Sequence, residues 1–296
     1  MPSLWFIGVS TGQSLINEAF PLWMSDIGRA IRLRGRDVPL GAPTDTYRSL
    51  IRELTADDDV LGAVITTHKV AVLREARDLI AGLDPLAAEC GEVSAIRRQD
   101  GTLTGYARDP LSIGRVVAEI WPDGGDLLCL GAGGSAIALG RHLLSRPEPP
   151  RRLTFTDQSE ASARHLRAVL EPWAQRRGAD LTVRVGTGPW DDLLAAAPPG
   201  ALIVNATGLG KDRPGSPLSA YAAFPPKAVV WDLNYRGDLA ILRQARERDD
   251  LTAYDGWNLF CHGWAAALGP ILDLTDEAAT ARRFAELAGP LRNGRR

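Results

Sequence analysis

The sequence predicts an α/β protein with two domains, the second of them built on a doubly wound parallel sheet. The middle of the chain carries a strand, a glycine-rich turn, a helix and a second strand, which together form the βαβ unit of nucleotide-binding folds. Short apolar runs then alternate with helix-like stretches, as they do in parallel sheets. A chain of 296 residues is also long enough for two domains, each with its own core.

The elements follow in chain order from short apolar runs that end at glycine or at polar residues. Strands are predicted at Leu4–Val9, Leu61–Thr66, Asp126–Leu130, Arg152–Thr156, Leu181–Val185, Leu202–Asn205 and Val229–Leu233. Helices are predicted at Val70–Leu79, at the amphipathic stretch Ser135–Leu144 and in the Ala-rich tail from Leu259.

The order of these elements sets the expected domain boundaries. An N-terminal α/β domain is predicted over residues 1–108, and a Rossmann-like domain over residues 109–255. The helical segment 256–296 is expected to pack back on the first domain, as happens when a second domain is inserted before the last helices of the first.

Composition argues against several classes of protein. Hydrophobic residues make up 45% and charged residues 24%, and the net charge of −2 gives no basic surface for nucleic acid. No apolar run is long enough to span a membrane, and the N-terminus lacks the features of a signal peptide. Three widely spaced cysteines are typical of reduced thiols, and four scattered histidines predict no metal site. We therefore expect a soluble, cytoplasmic protein that binds neither nucleic acid nor a membrane.

The glycine-rich turn is expected to bind a dinucleotide. It comprises Gly131, Ala132, Gly133, Gly134 and Ser135, and it stands between a strand and a helix, as the dinucleotide fingerprint requires. The first glycine permits a tight turn. The second lets the backbone approach a pyrophosphate, which would bind at the N-terminus of the helix.

Asp157 ends the second strand of this βαβ unit. A carboxylate there accepts hydrogen bonds from ribose hydroxyl groups and repels a 2′-phosphate. Gln158 and Ser159 follow it, and neither is an arginine. This pattern predicts NAD as the cofactor, in preference to NADP. The alternative is that Asp157 caps the helix that follows.

Lysine is scarce in this chain, which has three lysines against thirty-one arginines. Arginine cannot release its proton at neutral pH, so a retained lysine can mark a place where an amine must do so. Chance is sufficient to explain Lys211 and Lys227. Lys69 stands in a motif, which makes it the candidate for proton transfer.

Seven segments, in order along nearly the whole chain, resemble the motifs of the shikimate dehydrogenase family. They are Gly8–Asn17, Ala63–Lys69, Gly105–Asp109, Gly131–Gly134, Asn205–Gly210, Asp232–Tyr235 and Gly256–Gly263. No single segment is decisive, but their joint order and spacing make coincidence improbable. The resemblance implies a nicotinamide-dependent dehydrogenase.

The resemblance also implies roles for particular residues. Lys69 and Asp109 would face each other across the substrate as an acid–base pair, with Lys69 taking the hydroxyl proton if burial and nearby charge lower its pKa. The implied substrate contacts are Ser14, Ser94, Tyr235 and His262. The implied cofactor contacts outside the glycine-rich turn are Asn205, Ala206, Thr207 and Gly256.

Each of these readings has a structural alternative. Asp109 precedes Pro110, a good first residue of a helix, and could serve as its N-cap. His68 is expected to be structural, and core packing is the ordinary role for Trp257 and Trp264.

Several polar groups that the family uses to bind shikimate are absent here. Ile16, Ala63, Ile65, Ala107 and Gly263 stand where the family has hydrogen-bonding side chains, and Ser94 replaces an Asn. A site built on such bonds discriminates strongly by them, so their loss should change the substrate. The expected substrate is a small, cyclic hydroxy acid. Shikimate and quinate stay open, but the altered pocket favours a relative of them.

Two other functions remain as alternatives. One is an enzyme of the same fold that acts on an amino-acid-like or folate-like substrate. The other is a nucleotide-binding protein without turnover, against which the retention of Lys69 and Asp109 counts. The sequence leaves the oligomeric state open, with a homodimer among the alternatives.

Overall fold

The computed structural model describes residues 1–211 and 213–293. The chain forms two compact units, which are described separately below. Unit 1 comprises Met1–Asp109 together with Cys261–Arg296, and unit 2 comprises Pro110–Phe260.

The strands and helices of the first part of the chain are β1 (Ser3–Gly8), α1 (Ile16–Asp26), β2 (Arg32–Asp37), α2 (Thr44–Ala56), β3 (Val60–Ile65), α3 (Lys69–Ala76), β4 (Gly82–Leu83), α4 (Pro85–Cys90), β5 (Ala95–Gln99) and β6 (Thr102–Tyr106). Those that follow are α5 (Asp109–Ile120), β7 (Leu127–Leu130), α6 (Gly134–Ser145), β8 (Arg152–Asp157), α7 (Glu160–Arg177), β9 (Asp180–Val185), α8 (Asp191–Ala195), β10 (Leu202–Asn205), β11 (Val229–Asp232), α9 (Ala240–Arg246), β12 (Thr252–Tyr254), α10 (Trp257–Leu272) and α11 (Glu277–Asn293).

The sheet of unit 1 is mixed, with the strand order β2-β1-β3-β5-β6-β4. β1 pairs in parallel with both β2 and β3, whereas β5 is antiparallel to β3 and to β6. The apolar side chains of β1 and β3, among them Ile7 and Ile65, pack against α2 and α3 in one core cluster. The carboxyl end of β3 leads directly to α3, which begins at Lys69.

The sheet of unit 2 is parallel throughout, in the order β12-β11-β10-β7-β8-β9. Renumbered from β7, this is the 3-2-1-4-5-6 order of a doubly wound dinucleotide-binding sheet. The predicted fold class is therefore confirmed. The strand order reverses between β7 and β10, so the loops that follow these two neighbouring strands run in opposite directions. Ligands of such sheets bind at this point, beside the carboxyl ends of the strands.

Within unit 1, the C-terminal helix α11 packs against α1 through aromatic side chains. The ring of Phe284 stacks on Trp23 with a centroid distance of 4.3 Å, and the Trp23 indole N–H donates to the Phe284 carbonyl at 3.0 Å. Trp264 of α10 lies edge-on to Phe6 and Phe20 in the same region. Over the described residues, the structure contains no helix with the length and apolar character needed to cross a membrane.

Candidate active site

The structure brings Lys69 and Asp109 together in unit 1. Lys69 is the first residue of α3 and Asp109 the first residue of α5. The Lys69 ammonium donates a hydrogen bond to Asp109 Oδ2 in an ion pair whose two side chains are each 15% exposed. Charge-assisted bonds of this kind are stronger than neutral ones, and the remaining exposure leaves the pair accessible to a small molecule.

The electrostatics of Lys69 differ from the sequence-based expectation. Burial acts to lower the pKa of the Lys69 ammonium, but the charges of Asp109 and Glu92 and the hydrogen bond to Asp109 outweigh burial and raise the pKa above its usual value. The expected lowering is therefore wrong for the free protein. Lys69 carries its proton at neutral pH and can donate it.

Asp109 is positioned by the segment that precedes it. The Arg108 backbone N–H donates to the Ser94 hydroxyl at 2.7 Å, and the Arg108 guanidinium bonds the Ala266 carbonyl at 3.1 Å and pairs with Glu277. Both side chains of that ion pair are less than one-fifth exposed. The residue that precedes α5 is thus bonded to Ser94, α10 and α11.

Glu92 is a third charged group at the pair, and the motif comparison gave it no role. It follows Gly91, which ends α4 with a left-handed backbone (φ 63°), and its side chain is completely buried. Neither carboxyl oxygen has a hydrogen-bond partner among the described residues. Glu92 is one of two charged residues between Ala87 and Ile96, the other being the exposed Glu89, so the sequence gives no distinct signal for it.

His68, next to Lys69, has a structural role, as expected. It is buried, its Nε2 lies 2.8 Å from the Val38 carbonyl, and its Nδ1 lies 3.1 Å from the Tyr47 hydroxyl. Burial lowers the pKa of His68, so the ring is neutral: Nε2–H donates to Val38 and Nδ1 accepts from Tyr47. These bonds tie the start of α3 to α2.

The expected substrate contacts of unit 1 differ in how accessible they are. Ser14 is half-buried at the end of a short turn of 3₁₀ helix, Thr11–Gln13. Ser94 is 2% exposed, and its hydroxyl accepts from the Arg108 N–H and donates to the Tyr106 carbonyl at 3.4 Å. His262 is buried in α10. The Ser94 hydroxyl therefore holds the backbone of the segment that leads to Asp109.

The residues that replace the family's polar groups are mostly core residues of unit 1. Ile16, Ala63, Ile65 and Ala107 are each at most 1% exposed. Gly263 of α10 is half-buried, and a Cβ added there would meet no atom within 4 Å. These positions offer packing surface and space where the family offers hydrogen bonds.

The glycine-rich turn of unit 2 has the geometry that a dinucleotide requires. Gly131 has φ 119°, and a Cβ there would lie 2.7 Å from the Ala206 carbonyl group, so no larger residue fits. Gly133 is the N-cap of α6, supplies no side-chain cap, and leaves open space where a Cβ would stand. Gly134 and Ser135 form the first turn of α6. The free N–H groups of this turn can meet a pyrophosphate.

Asp157 occupies the expected position at the end of β8, but its carboxylate is engaged locally. It accepts hydrogen bonds from the Ala132 N–H at 2.9 Å and from the Ser159 N–H at 2.8 Å. The cap of α7 is Ser159, whose hydroxyl accepts from the Ser162 N–H. Asp157 therefore holds the glycine-rich turn against the loop that follows β8.

Asn205 and Thr207 shape the loop after β10 through a buried polar network. The Asn205 amide donates to Asp232 at 2.9 Å and its carbonyl accepts from the Thr207 hydroxyl at 2.7 Å. The Thr207 hydroxyl oxygen accepts in turn from the Leu209 N–H. Burial raises the pKa of Asp232 to about 6, against the hydrogen bonds that it accepts from Asn205 and Asn234. Within this loop, the backbone of Ala206 lies against Gly131 of the glycine-rich turn.

Gly256 and Tyr235 complete the predicted set within unit 2. A Cβ at Gly256 would lie 2.0 Å from the Leu233 carbonyl oxygen, so glycine is required there for close packing. Tyr235 is half-buried, packs against the rings of Trp257 and Phe260, and has the Lys211 ammonium 5.9 Å from its ring centre. Over residues 1–211 and 213–293, no cluster of three or more metal-binding side chains is found.

Curated relatives resemble the chain over most of its length. Shikimate dehydrogenase (NADP⁺) of Methylobacterium radiotolerans is 32% identical, with 94% of this chain and 96% of that protein covered. The enzyme of the same name from Rhodospirillum rubrum is 26% identical, with 96% of both chains covered. No model of a known protein family matches the chain.

Solved structures show the same fold. Quinate dehydrogenase from Corynebacterium glutamicum, in complex with NAD, gives a TM-score of 0.73 at 23% identity, with 96% of this chain and 99% of that chain covered. Shikimate 5-dehydrogenase from Thermus thermophilus, in complex with shikimate, gives a TM-score of 0.71 at 20% identity, with coverages of 98% and 100%.

The relatives correct the predicted cofactor. The preference for NAD over NADP is wrong, because the curated relatives carry NADP⁺ in their names. The prediction took the Asp157 carboxylate as a group directed at a ribose. In the structure both of its oxygens accept backbone N–H groups, so its presence does not report which nucleotide binds.

One relative is 32% identical over 94% of this chain. The strand order of unit 2 is that of a dinucleotide-binding sheet. Both findings agree with the order of the seven motifs. The chain belongs to the shikimate dehydrogenase family and is an oxidoreductase that acts on CH–OH groups.

Proposed function

We propose that the protein interconverts the alcohol and ketone forms of a small, cyclic hydroxy acid with NADP(H), and that Lys69 and Asp109 are the catalytic pair. The observation that carries the proposal is the partly exposed ion pair between these side chains. Unit 1 would bind the substrate, and the glycine-rich turn and the 206–210 loop of unit 2 would bind the dinucleotide.

Lys69 would carry the proton. When bound, the nicotinamide ring supplies or accepts the hydride. In ketone reduction the Lys69 ammonium, which is protonated in the free protein, donates its proton to the substrate oxygen. In alcohol oxidation the amine takes that proton back. Asp109 orients the amine through its hydrogen bond and can accept a second one from the substrate hydroxyl.

NADP is proposed as the cofactor because the curated relatives are named for it. The fit of a dinucleotide is supported by Gly133, where the lack of a side chain leaves space beside the first turn of α6. Calorimetric titration with both nucleotides tests this choice. NADP⁺ is expected to bind more tightly, and a clear preference for NAD⁺ would contradict it.

The substrate is proposed to carry fewer hydrogen-bonding groups than shikimate. Ile16, Ile65 and Ala107 are buried apolar residues where the family has polar side chains, so these positions supply no hydrogen bond to a substrate hydroxyl. Ser94 adds to this difference, because its hydroxyl is engaged with the backbone of Tyr106 and Arg108 at the carboxyl end of β6. Ser14 is the contact of unit 1 that stays accessible.

A cofactor-reduction assay tests the reaction. NADPH formation, followed by its absorbance at 340 nm, would be measured over a panel of cyclic hydroxy acids that includes shikimate and quinate. We expect turnover of at least one member, weak turnover of shikimate, and turnover lowered by on the order of 10²–10⁴ in Lys69→Met. Shikimate oxidation as efficient as that of a dedicated shikimate dehydrogenase would contradict the proposed substrate. Full activity of Lys69→Met would contradict the proposed pair.

A cytoplasmic location is also proposed. Cys90, Cys129 and Cys261 are buried and form no disulfide bond, which agrees with a reducing compartment. The homodimer stays a prediction that sedimentation analysis can check.

A further inference from the structure

The backbone next to Glu92 is hydrogen-bonded to Lys69, the residue that carries the proposed catalytic amine. Gly91 turns the chain out of α4, and the next residue after Glu92, Val93, donates its backbone N–H to the Lys69 carbonyl at 3.2 Å. Ser94 then pairs with β3 and β6 through its own backbone. Glu92 therefore has hydrogen-bonded backbone on either side, and little freedom to move away from Lys69.

The Glu92 carboxyl group is buried without compensation. It has no exposed surface, and neither oxygen accepts a hydrogen bond from a described residue. The charged groups that act on it come from two other elements, Lys69 at the start of α3 and Asp109 at the start of α5. Lys69 makes its hydrogen bond to Asp109. Burial without a hydrogen-bond donor disfavours the ionised carboxylate, so the neutral acid is favoured.

The net charge of the three groups supports the same conclusion. With Glu92 neutral, the Lys69 ammonium and the Asp109 carboxylate cancel. With Glu92 ionised, a net negative charge is buried. Burial, followed by the repulsion of Asp109, raises the pKa of Glu92 to about 8, while Lys69 acts in the opposite direction.

We propose that Glu92 is a positioning residue that controls, through its own ionisation, how readily Lys69 releases its proton. When Glu92 is neutral, Asp109 is the one of these two carboxylates that stabilises the ammonium, and Lys69 gives up its proton more easily. When Glu92 is ionised, two carboxylates hold the ammonium and the proton is retained. The inference deepens the proposed role of Lys69 and rests on it, but the charge coupling can be measured without any substrate.

A carboxyl group that only fills space in the core would behave differently. It would affect stability, but the titration of Lys69 would not depend on whether position 92 can ionise. Observing Lys69 itself therefore separates the two roles.

The scarcity of lysine makes this observation simple. Selective ¹³C labelling of lysine gives signals from Lys69, Lys211 and Lys227 alone, and Lys69→Arg assigns the one of interest. The signals would be followed by NMR through the neutral and alkaline range in the wild-type protein and in Glu92→Gln, which keeps the shape of the side chain and removes its charge.

In the wild-type protein the Lys69 signal is expected to respond to an ionisation near pH 8, that of Glu92, before its own. In Glu92→Gln this first step should be missing, and the midpoint of Lys69 itself should move to lower pH. Glu89→Gln is the matched control, because it removes a carboxyl charge from the same segment at an exposed position. It should leave the Lys69 titration as in the wild type.

Superimposable Lys69 titrations of the wild type and Glu92→Gln would overturn the proposal, and so would a shift of equal size in Glu89→Gln. If Glu92→Gln does not fold, the wild-type titration decides alone, since the step near pH 8 must still be seen. A failure of the proposed reaction would appear as absent turnover over the whole panel and would leave these titrations unchanged.

Discussion

Two carboxyl groups act on one amine in unit 1, but only one of them is paired with it. Asp109 forms the ion pair with Lys69, whereas Glu92 lies buried with no partner for its oxygens among the described residues. Both carboxyl groups lie near Lys69, but only Asp109 is hydrogen-bonded to it. Asp109 therefore acts as the permanent counter-ion of Lys69, whereas Glu92 can change its charge.

Lys69→Met and Lys69→Arg distinguish proton transfer from simple attraction of an anion. If Lys69 transfers a proton, Lys69→Met should lower kcat by on the order of 10²–10⁴, the usual contribution of a positioned acid–base group. Lys69→Arg should fail nearly as badly, because guanidinium keeps its proton. Steady-state kcat and KM of both variants are the measurement. Near-normal kcat in the arginine variant, with the damage confined to KM, would rule out proton transfer.

Glu92 should also make stability depend on pH. Its pKa is about 8 in the folded protein and near 4.5 when exposed, so between these values the folded state binds more protons than the unfolded state. The free energy of unfolding should then fall as pH rises through this window, with a slope from this group of at most about 1.4 kcal/mol per pH unit.

Glu92→Gln should flatten this part of the stability profile, because glutamine does not titrate. Urea unfolding at several pH values measures the effect, with Glu89→Gln as the control that keeps the wild-type slope. Parallel profiles for wild type and Glu92→Gln would show that Glu92 does not titrate in this window.

At the scale of the element, the turn between β7 and α6 contains two glycines with different requirements. Gly131→Ala would place a methyl group 2.7 Å from the Ala206 carbonyl at a backbone angle that alanine avoids, so it should destabilise unit 2. Gly133→Ala meets no atom of the protein and has an ordinary φ of −79°, so folding should be little affected.

Gly133→Ala should weaken nucleotide binding even though it leaves the stability of the protein unchanged. In Gly133→Ala the added methyl group would occupy space beside the helix N-terminus, and NADP⁺ should bind more weakly at an unchanged melting temperature. Thermal unfolding and calorimetric titration of both variants test this. Wild-type affinity in Gly133→Ala would mean that the dinucleotide does not approach the turn.

Most of the strands that the sequence predicted are buried, and β9 is an exception, since it lies at the edge of its sheet with mostly exposed side chains. β1, β3, β7 and β10 are short apolar runs, and each was predicted to within about a residue of its observed bounds. β2 was not predicted, because Arg32–Asp37 lies at the edge of its sheet with mostly exposed, charged side chains. The three-residue edge strand β12 gave too short a pattern.

The site was predictable where a motif fixes the residue type, and less so where partners come from distant parts of the chain. Lys69 and Asp109 could be identified in advance, and the structure pairs them. The engagement of Ser94 with Arg108, and of Asp157 with Ala132, depends on backbone groups 14 and 25 residues away. Glu92 could not be identified because its neighbours, Lys69 and Asp109, are brought to it only by folding.

At the scale of the whole molecule, each unit has its own core, so core substitutions should act locally. Phe284→Ala removes the ring stacked on Trp23 in unit 1, and Phe155→Ala removes a fully buried ring from β8 in unit 2. Each should cost about 3–5 kcal/mol, the usual range for a buried Phe replaced by Ala. Hydrogen exchange should show faster exchange at the amides of β1 and β3 in the first variant, and at those of β7 and β8 in the second. Equal loosening of both sheets by either change would contradict two independent cores.

The interruption of unit 1 by residues 110–260 has a consequence for synthesis on the ribosome. Domains generally fold as units while the chain emerges. The first 109 residues leave the ribosome without α11, whose Phe284 covers Trp23, and without Glu277, which pairs with Arg108. Unit 2 is thus the first to have all of its residues outside the ribosome, although it begins second. Until translation reaches α11, the nascent N-terminal segment exposes an aromatic surface of the kind that chaperones bind.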